Sequence, residues 1–188
     1  AMTETTLDAH YPMNLKLGSR NIELQLMSAQ DRDAIIAFVR SLPATDLLFL
    51  RVDLTQQAAI DEWIEQLEAG YSTAIVAYAN RRLLGYASVH REPQAHWTRR
   101  VGEIRVNIAS DCRGIGLGKA LVGHIFELAN SMSLRKLVAH MTVDQPGARV
   151  SFERFGFVQE ALLTNYVEDR QGNPHDLIIM SCDVEQTG

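Results

Sequence analysis

The stretch Arg113-Gly114-Ile115-Gly116-Leu117-Gly118-Lys119 has residue types and spacing suited to holding phosphate. Three glycines at alternate positions leave backbone N–H groups uncovered by side chains. A helical pattern follows at once, with Leu117, Leu121, Ile125 and Leu128 on one stripe and an end near Ser131. Its first turn adds unpaired N–H groups and the positive end of the helix dipole. Arg113 and Lys119 supply cationic side chains beside them. Spacing decides among the phosphate loops. A Walker loop needs four residues between its first glycine and the Gly-Lys pair, then Ser or Thr; here three separate Gly114 from Gly118, and Ala120 follows Lys119. A dinucleotide fingerprint needs a third glycine at position 119 and an early strand, and neither is present. What remains is R-x-x-G-x-G, as Arg113, Gly116 and Gly118, behind the alternating segment Val101 to Ala109.

A second segment lies downstream, Gln145-Pro146-Gly147-Ala148-Arg149-Val150-Ser151-Phe152-Glu153-Arg154-Phe155-Gly156-Phe157, with a strand-like Leu137 to Val143 between the two. In order and distance the pair resembles the two cofactor motifs of the GNAT superfamily of acetyl-CoA-dependent N-acyltransferases. The second motif departs from the family pattern twice: Gln145 stands for an Asn and Phe152 for a Tyr. The resemblance covers the second half of the chain. It implies acetyl-CoA as cosubstrate, held by Arg113, Gly114, Gly116, Gly118 and Lys119 at the pyrophosphate. It further implies contacts from the backbone of Val106 and Ile108, and from Gln145 and Phe152, along the pantetheine arm. In the family the strand before the loop splays from its neighbour at a bulge, and an N–H near Val106 or Asn107 polarises the thioester carbonyl.

Acyl transfer to an amine needs a neutral amine, a polarised carbonyl and a leaving thiolate. On the strand from Val101, Ile104, Val106 and Ile108 face one way and Glu103, Arg105 and Asn107 the other. Glu103 is the candidate base, directly or through a water, if burial lifts its pKa. The bland alternative is an exposed glutamate paired with Arg105 or Arg100. His90, His96 and His140 are rivals; His124 falls on the buried side of its helix. Many relatives use a tyrosine at the position of Phe152 to protonate the thiolate, and Tyr166 is the candidate to replace it here. Cys112 and Cys182 form neither a disulfide framework nor a metal site, so no metal is expected, and they fit a reducing cytoplasm.

The elements that must position these groups follow from periodicity. Leu15/Leu17 and Ile22/Leu24/Leu26 form a hairpin around Gly18-Ser19. Ser28 with Asp31 resembles a capping box ahead of a helix on Ile35, Val39 and Leu42 that Pro43 ends. A second helix has Thr55 as N-cap, Ile60, Trp63, Ile64 and Leu67 buried, and Gly70 as its stop. Between them, Leu47 to Leu50 is apolar, either a core plug or a wall of the acceptor site. Strands at 73–79 and 83–90 turn at Asn80-Arg81-Arg82; a loop covers 91–100. Beyond the loop–helix unit come a helix at 147–155 and strands at 161–167 and 177–182. The order β-β-α-α-β-β-β-α-β-α-β-β gives an α/β class domain, an α+β arrangement on one mixed sheet with helices on both faces. The resemblance implies the GNAT-like fold, with a mostly antiparallel sheet. Residues 1–12 are expected as a loose arm before a single domain, 13–188.

At 188 residues one domain can bury its own core. Eighteen Lys and Arg against 23 Asp and Glu, net −5, argue against a general nucleic-acid binder. No apolar run reaches the roughly 18 residues of a membrane span. The expected function is direct acetyl transfer from acetyl-CoA to a primary amine, of a small molecule rather than a protein lysine, in a cytoplasmic enzyme that can form a homodimer. The alternative is a CoA-binding sensor or interaction module that kept the fold and lost the chemistry.

Overall fold

The computed structural model describes residues 10–185. Strand β1 (Met13–Leu17) and β2 (Arg20–Leu26) form the first hairpin, with Ile22 and Leu24 buried on alternate positions. Ser28 and Asp31 close a capping box, and Asp31 also accepts from the Tyr78 hydroxyl at 2.5 Å. Helix α1 (Arg32–Ser41) follows, then the one-turn α2 (Ala44–Leu47) behind Pro43, then α3 (Gln57–Ala69), stopped by Gly70 at φ 81°. The helix cap is Gln56, not Thr55, because the Thr55 hydroxyl is engaged with Asp53 and its carbonyl with Arg40.

Strands β3 (Ser72–Ala79) and β4 (Arg82–His90) are joined through Asn80 and Arg81, both at positive φ, as a tight right-twisted hairpin requires. Then come β5 (Val101–Ile108), α4 (Leu117–Ser131), β6 (Lys136–Thr142), α5 (Pro146–Arg154), β7 (Val158–Glu168) and β8 (Pro174–Asp183). The eight strands lie in the order β1-β2-β3-β4-β5-β6-β8-β7. Every neighbouring pair is antiparallel except β5 with β6. Strand β7 starts earlier than its apolar alternation and shifts register twice, as an edge strand paired on one side can.

Helices cover both faces. On one, Phe38 of α1 and Trp63 of α3 meet the ring of Tyr86, with centroids 6.1 and 5.0 Å apart. On the other lies α4, whose buried Leu117, Leu121, Ile125 and Leu128 form the stripe read from the sequence. Of the expected loose arm, residues 1–9 lie outside the described residues, and the rest is docked. The Tyr11 hydroxyl hydrogen-bonds His124 Nδ1 on α4 at 2.9 Å. Among the described residues no helix is long and apolar enough to cross a membrane.

Candidate active site

Strands β5 and β6 pair only from Val101 to Glu103 against Lys136 to Val138, although β5 runs on to Ile108 and β6 to Thr142. Beyond Glu103 they part. The β4–β5 ladder passes this point with no register shift, so the opening is a divergence of strands and not the bulge expected there. Ala109 N–H donates to Leu84 O at 2.8 Å, which fixes the parity of the strand. The N–H groups of Asn107 and Arg105 turn toward β4, and those of Ile108 and Val106 turn into the opening. Between the two donors considered above, Val106 is therefore the one that faces the gap.

The gap leads to the glycine loop. A 3-10 turn at Ser110–Cys112 is pinned by Arg82, which meets Asp111 twice at 2.7 Å, and by Arg20 on Cys112 Sγ at 3.0 Å. Gly114 and Gly116 then take φ of 78° and 90°, a region that side chains rarely enter. A Cβ at Gly114 would meet nothing, and one at Gly116 only Leu17 Cδ2 at 3.9 Å, so the space over the loop is open. The first bond of α4 runs from Ala120 N–H to Gly116 O at 3.1 Å, leaving the N–H groups of Leu117, Gly118 and Lys119 ahead of it. Lys119 is exposed. Here are the pieces of an anion cradle.

Arg113 points elsewhere. Its Nη2 lies 2.5 Å from Asp46 Oδ2 on α2 and 3.4 Å from Ile108 O. A phosphate at the loop has to share or displace Asp46 to recruit this guanidinium. Asp46→Asn should therefore tighten coenzyme A by about two- to fivefold, the scale of a partly exposed ion pair. Isothermal titration checks this, and equal affinity in the two chains would mean that Asp46 does not compete with coenzyme A for Arg113.

In the second motif, Gln145 caps α5 and its Oε1 accepts from Thr142 N–H at 3.0 Å, so that oxygen is already engaged inside the fold. Phe152 is half-buried with its ring edge-on to Phe157, centroids 5.0 Å apart. Tyr166 stands on the edge strand β7, 66% exposed. It lines no part of the cavity described next.

That cavity, of about 380 Å³, lies on the α1/α3 face beside the start of the splay. Tyr86, Ser88 and His90 of β4 stand directly across from Asn107, Arg105 and Glu103 of β5. Val138 and His140 close it from β6 and Trp63 from α3. Glu103 Oε1 is gripped by Arg51 Nη1 and by Arg105 Nε, the latter at 2.9 Å. Arg51 follows α2, on a connection anchored from below: Arg170 N–H donates to Leu48 O at 3.0 Å, and the Phe49 ring meets His175 at 5.1 Å. His175 is itself held between Asp144 and Asp169, at 2.5 and 2.7 Å, which raises its pKa. His90 and His140 are pushed the other way, to about 3 and about 4, by burial first and then by Arg51 and Arg105. Both imidazoles are neutral at physiological pH, and His90 Nε2 is 2.7 Å from Ser88 Oγ.

Residues 36–157, from α1 through the second motif, match the model of the acetyltransferase (GNAT) family. The chain belongs to the GNAT acetyltransferase family. No curated protein matches it by sequence. Among solved structures, an N-acetyltransferase from Staphylococcus aureus Mu50 superposes with a TM-score of 0.76 at 19% identity, over 88% of this chain and 99% of that one. A GNAT superfamily phosphinothricin acetyltransferase from Sinorhizobium meliloti, in complex with AcCoA, gives 0.75 at 18%, over 87% and 88%. The spermidine N-acetyltransferase of Vibrio cholerae, in complex with CoA and spermine, gives 0.70 at 17%, over 87% and 95%. At such identities the likeness is one of fold.

In this GNAT domain the splay, the glycine loop and the cavity meet along β5. Val106, Ile108, Arg113, Gly114, Gly116, Gly118 and Lys119 lie on β5, the loop or the start of α4, and Glu103 lies in the cavity wall. Sequence reasoning missed Asp46 and Arg51. Both come from the segment flanking the apolar Leu47–Leu50, which packs partly onto the core through Leu47 and Leu50. Nothing in their spacing tied them to Arg113 or Glu103.

Proposed function

We propose that the protein transfers the acetyl group of acetyl-CoA directly to the primary amine of a small molecule, without a covalent enzyme intermediate. The observation that carries this reading is the adjacency on β5 of an inward-facing Val106 N–H and a side-chain cavity at Glu103 and Arg105. An amine in the cavity reaches a thioester laid along the splay. Val106 N–H hydrogen-bonds the carbonyl oxygen as negative charge develops there. The amine nitrogen forms the new bond to the carbonyl carbon, the carbon–sulfur bond breaks, and the surplus proton of the nitrogen leaves toward Glu103 or its water. The N–H groups at the start of α4 and Lys119 take the pyrophosphate. A cavity of this size suits a small acceptor. Two free cysteines agree with residence in a reducing cytoplasm.

Thiol release from acetyl-CoA against an amine panel tests the reading, beside melting curves with coenzyme A. The second reading, a CoA-binding module without chemistry, is favoured by Phe152 and by the capture of Glu103 between two arginines. Stabilisation by coenzyme A with turnover of no amine would select it.

Phe152 gives a sharper expectation. A thiol with a pKa near 8.5 is a tolerable leaving group, so a site without an acid at this position is slow and not dead. Phe152→Tyr adds one hydroxyl to a ring already seated against Phe157. It should raise kcat by up to about 10², the low end of general acid catalysis, with coenzyme A affinity unchanged. If Tyr166 already donates this proton, Phe152→Tyr gains nothing and Tyr166→Phe is the damaging change. Flat rates in both variants would mean that protonation of sulfur does not limit turnover.

A further inference from the structure

The charged groups lining the cavity are Glu62, Glu92 and Glu103 with Arg91 and Arg105, and Arg51 joins them through Glu103. The sequence is net −5, yet the balance around Glu103 is cationic. Arg51 and Arg105 both contact the same oxygen of Glu103, so two guanidiniums share one carboxylate and one positive charge is unmatched. Arg105 spends only Nε on Glu103, and no acceptor among the described residues meets its Nη1 and Nη2. Its side chain is about three-quarters covered, which limits screening by water. The other acidic residues on the cavity, Glu62 and Glu92, are exposed, where their charge counts for less. His90 and His140 add no charge, and the two arginines contribute to the depression of both.

A planar guanidinium fork with two free donors fits a carboxylate in bidentate fashion. A polycationic acceptor would instead bring ammonium groups against that fork, with only the exposed Glu62 and Glu92 left to match them. Arg105 also directly precedes Val106, whose N–H faces the splay. The Arg105 guanidinium, held at Glu103 in the cavity wall, and a thioester laid beside Val106 on the same strand therefore serve an anion and an amine of one small molecule. We infer that the acceptor is an amino carboxylate, whose carboxylate is bound by Arg105 with support from Arg51 while its amine is acetylated. This rests on the acetyltransferase reading above and names the substrate class of that same site.

The test measures kcat/KM at saturating acetyl-CoA for a panel of α- and β-amino acids, each beside its own carboxamide, with spermidine as the polycation. The accepted amino acids should exceed their amides by about ten- to hundredfold, the range of a charge-assisted hydrogen-bonded pair. Arg105→Gln should collapse that ratio to below about threefold, and Arg105→Lys should restore part of it. Melting curves with coenzyme A show that each variant is folded, and Arg51→Gln provides the same ratio from the second arginine should Arg105→Gln fail to fold. Amides or spermidine used as well as amino acids would overturn the inference and leave the acetyltransferase reading standing. So would a ratio that survives in both Arg105→Gln and Arg51→Gln. Stabilisation by coenzyme A with no turnover of any acceptor would overturn that reading and this inference with it.

Discussion

Gly118→Asp is expected to leave the fold standing and to lower coenzyme A affinity by about 10² to 10⁴, the loss of roughly two hydrogen bonds to a charged group. Gly118 is the second residue of α4 and has no positive φ. A Cβ there meets only Ile108 Cγ1, at the ordinary contact distance of 3.9 Å. An aspartate in a first helical turn is locally favourable by about 0.3–1 kcal/mol, so the melting temperature without ligand should hold or rise slightly. The same carboxylate stands among the N–H groups of Leu117, Gly118 and Lys119, where the pyrophosphate is proposed to sit. Gly116→Asp is a poorer probe, because φ 90° strains any side chain and mixes a folding cost with the binding cost. Melting curves with and without coenzyme A separate the two effects. A Gly118→Asp chain that still shifts upward with coenzyme A as the parent does would remove the loop from the phosphate site.

The parts of the fold that were legible in the sequence are those fixed by local pattern. Alternation on β5 sorted Glu103, Arg105 and Asn107 from Ile104, Val106 and Ile108, and the structure keeps that division, with Tyr86, Ser88 and His90 standing opposite the polar three. The glycine loop was legible because Gly114 and Gly116 need backbone angles that few other residues tolerate. The splay was not, since Ile104 to Ile108 would pass for an ordinary paired strand; only the failure of β6 to follow creates the gap, and that is a property of two strands. The grip on Glu103 and the hold of Asp46 on Arg113 were equally hidden, because both reach across the fold from the connection around α2. Net charge is silent about the site for a physical reason. An average of −5 over the surface says nothing about a cavity where two arginines face one glutamate.

Glu103→Gln should lower turnover by roughly 10² to 10⁴ at neutral pH with coenzyme A affinity nearly unchanged, the range for loss of a general base. The geometry makes this a demanding claim. Both arginines make their close contact on Oε1, and among the described residues no hydrogen bond to Oε2 is formed, so Oε2 is the oxygen placed to take a proton, directly or through a water. The pH profile separates this base from its rivals. His90 and His140, at about 3 and about 4, stay neutral from about pH 5.5 to 8 and contribute no limb in that range. Over the same range kcat/KM of the parent should climb steadily with pH, because the acceptor ammonium must shed a proton before it attacks. Glu103→Gln should keep that slope at a lower height. The substitution also removes the charge that Arg51 and Arg105 share, which should lower KM for a carboxylate-bearing acceptor even as kcat falls. A fall in kcat of less than about fivefold, with KM alone moving, would take the base role from Glu103 and leave it the task of holding the two arginines in place, with bulk water receiving the proton.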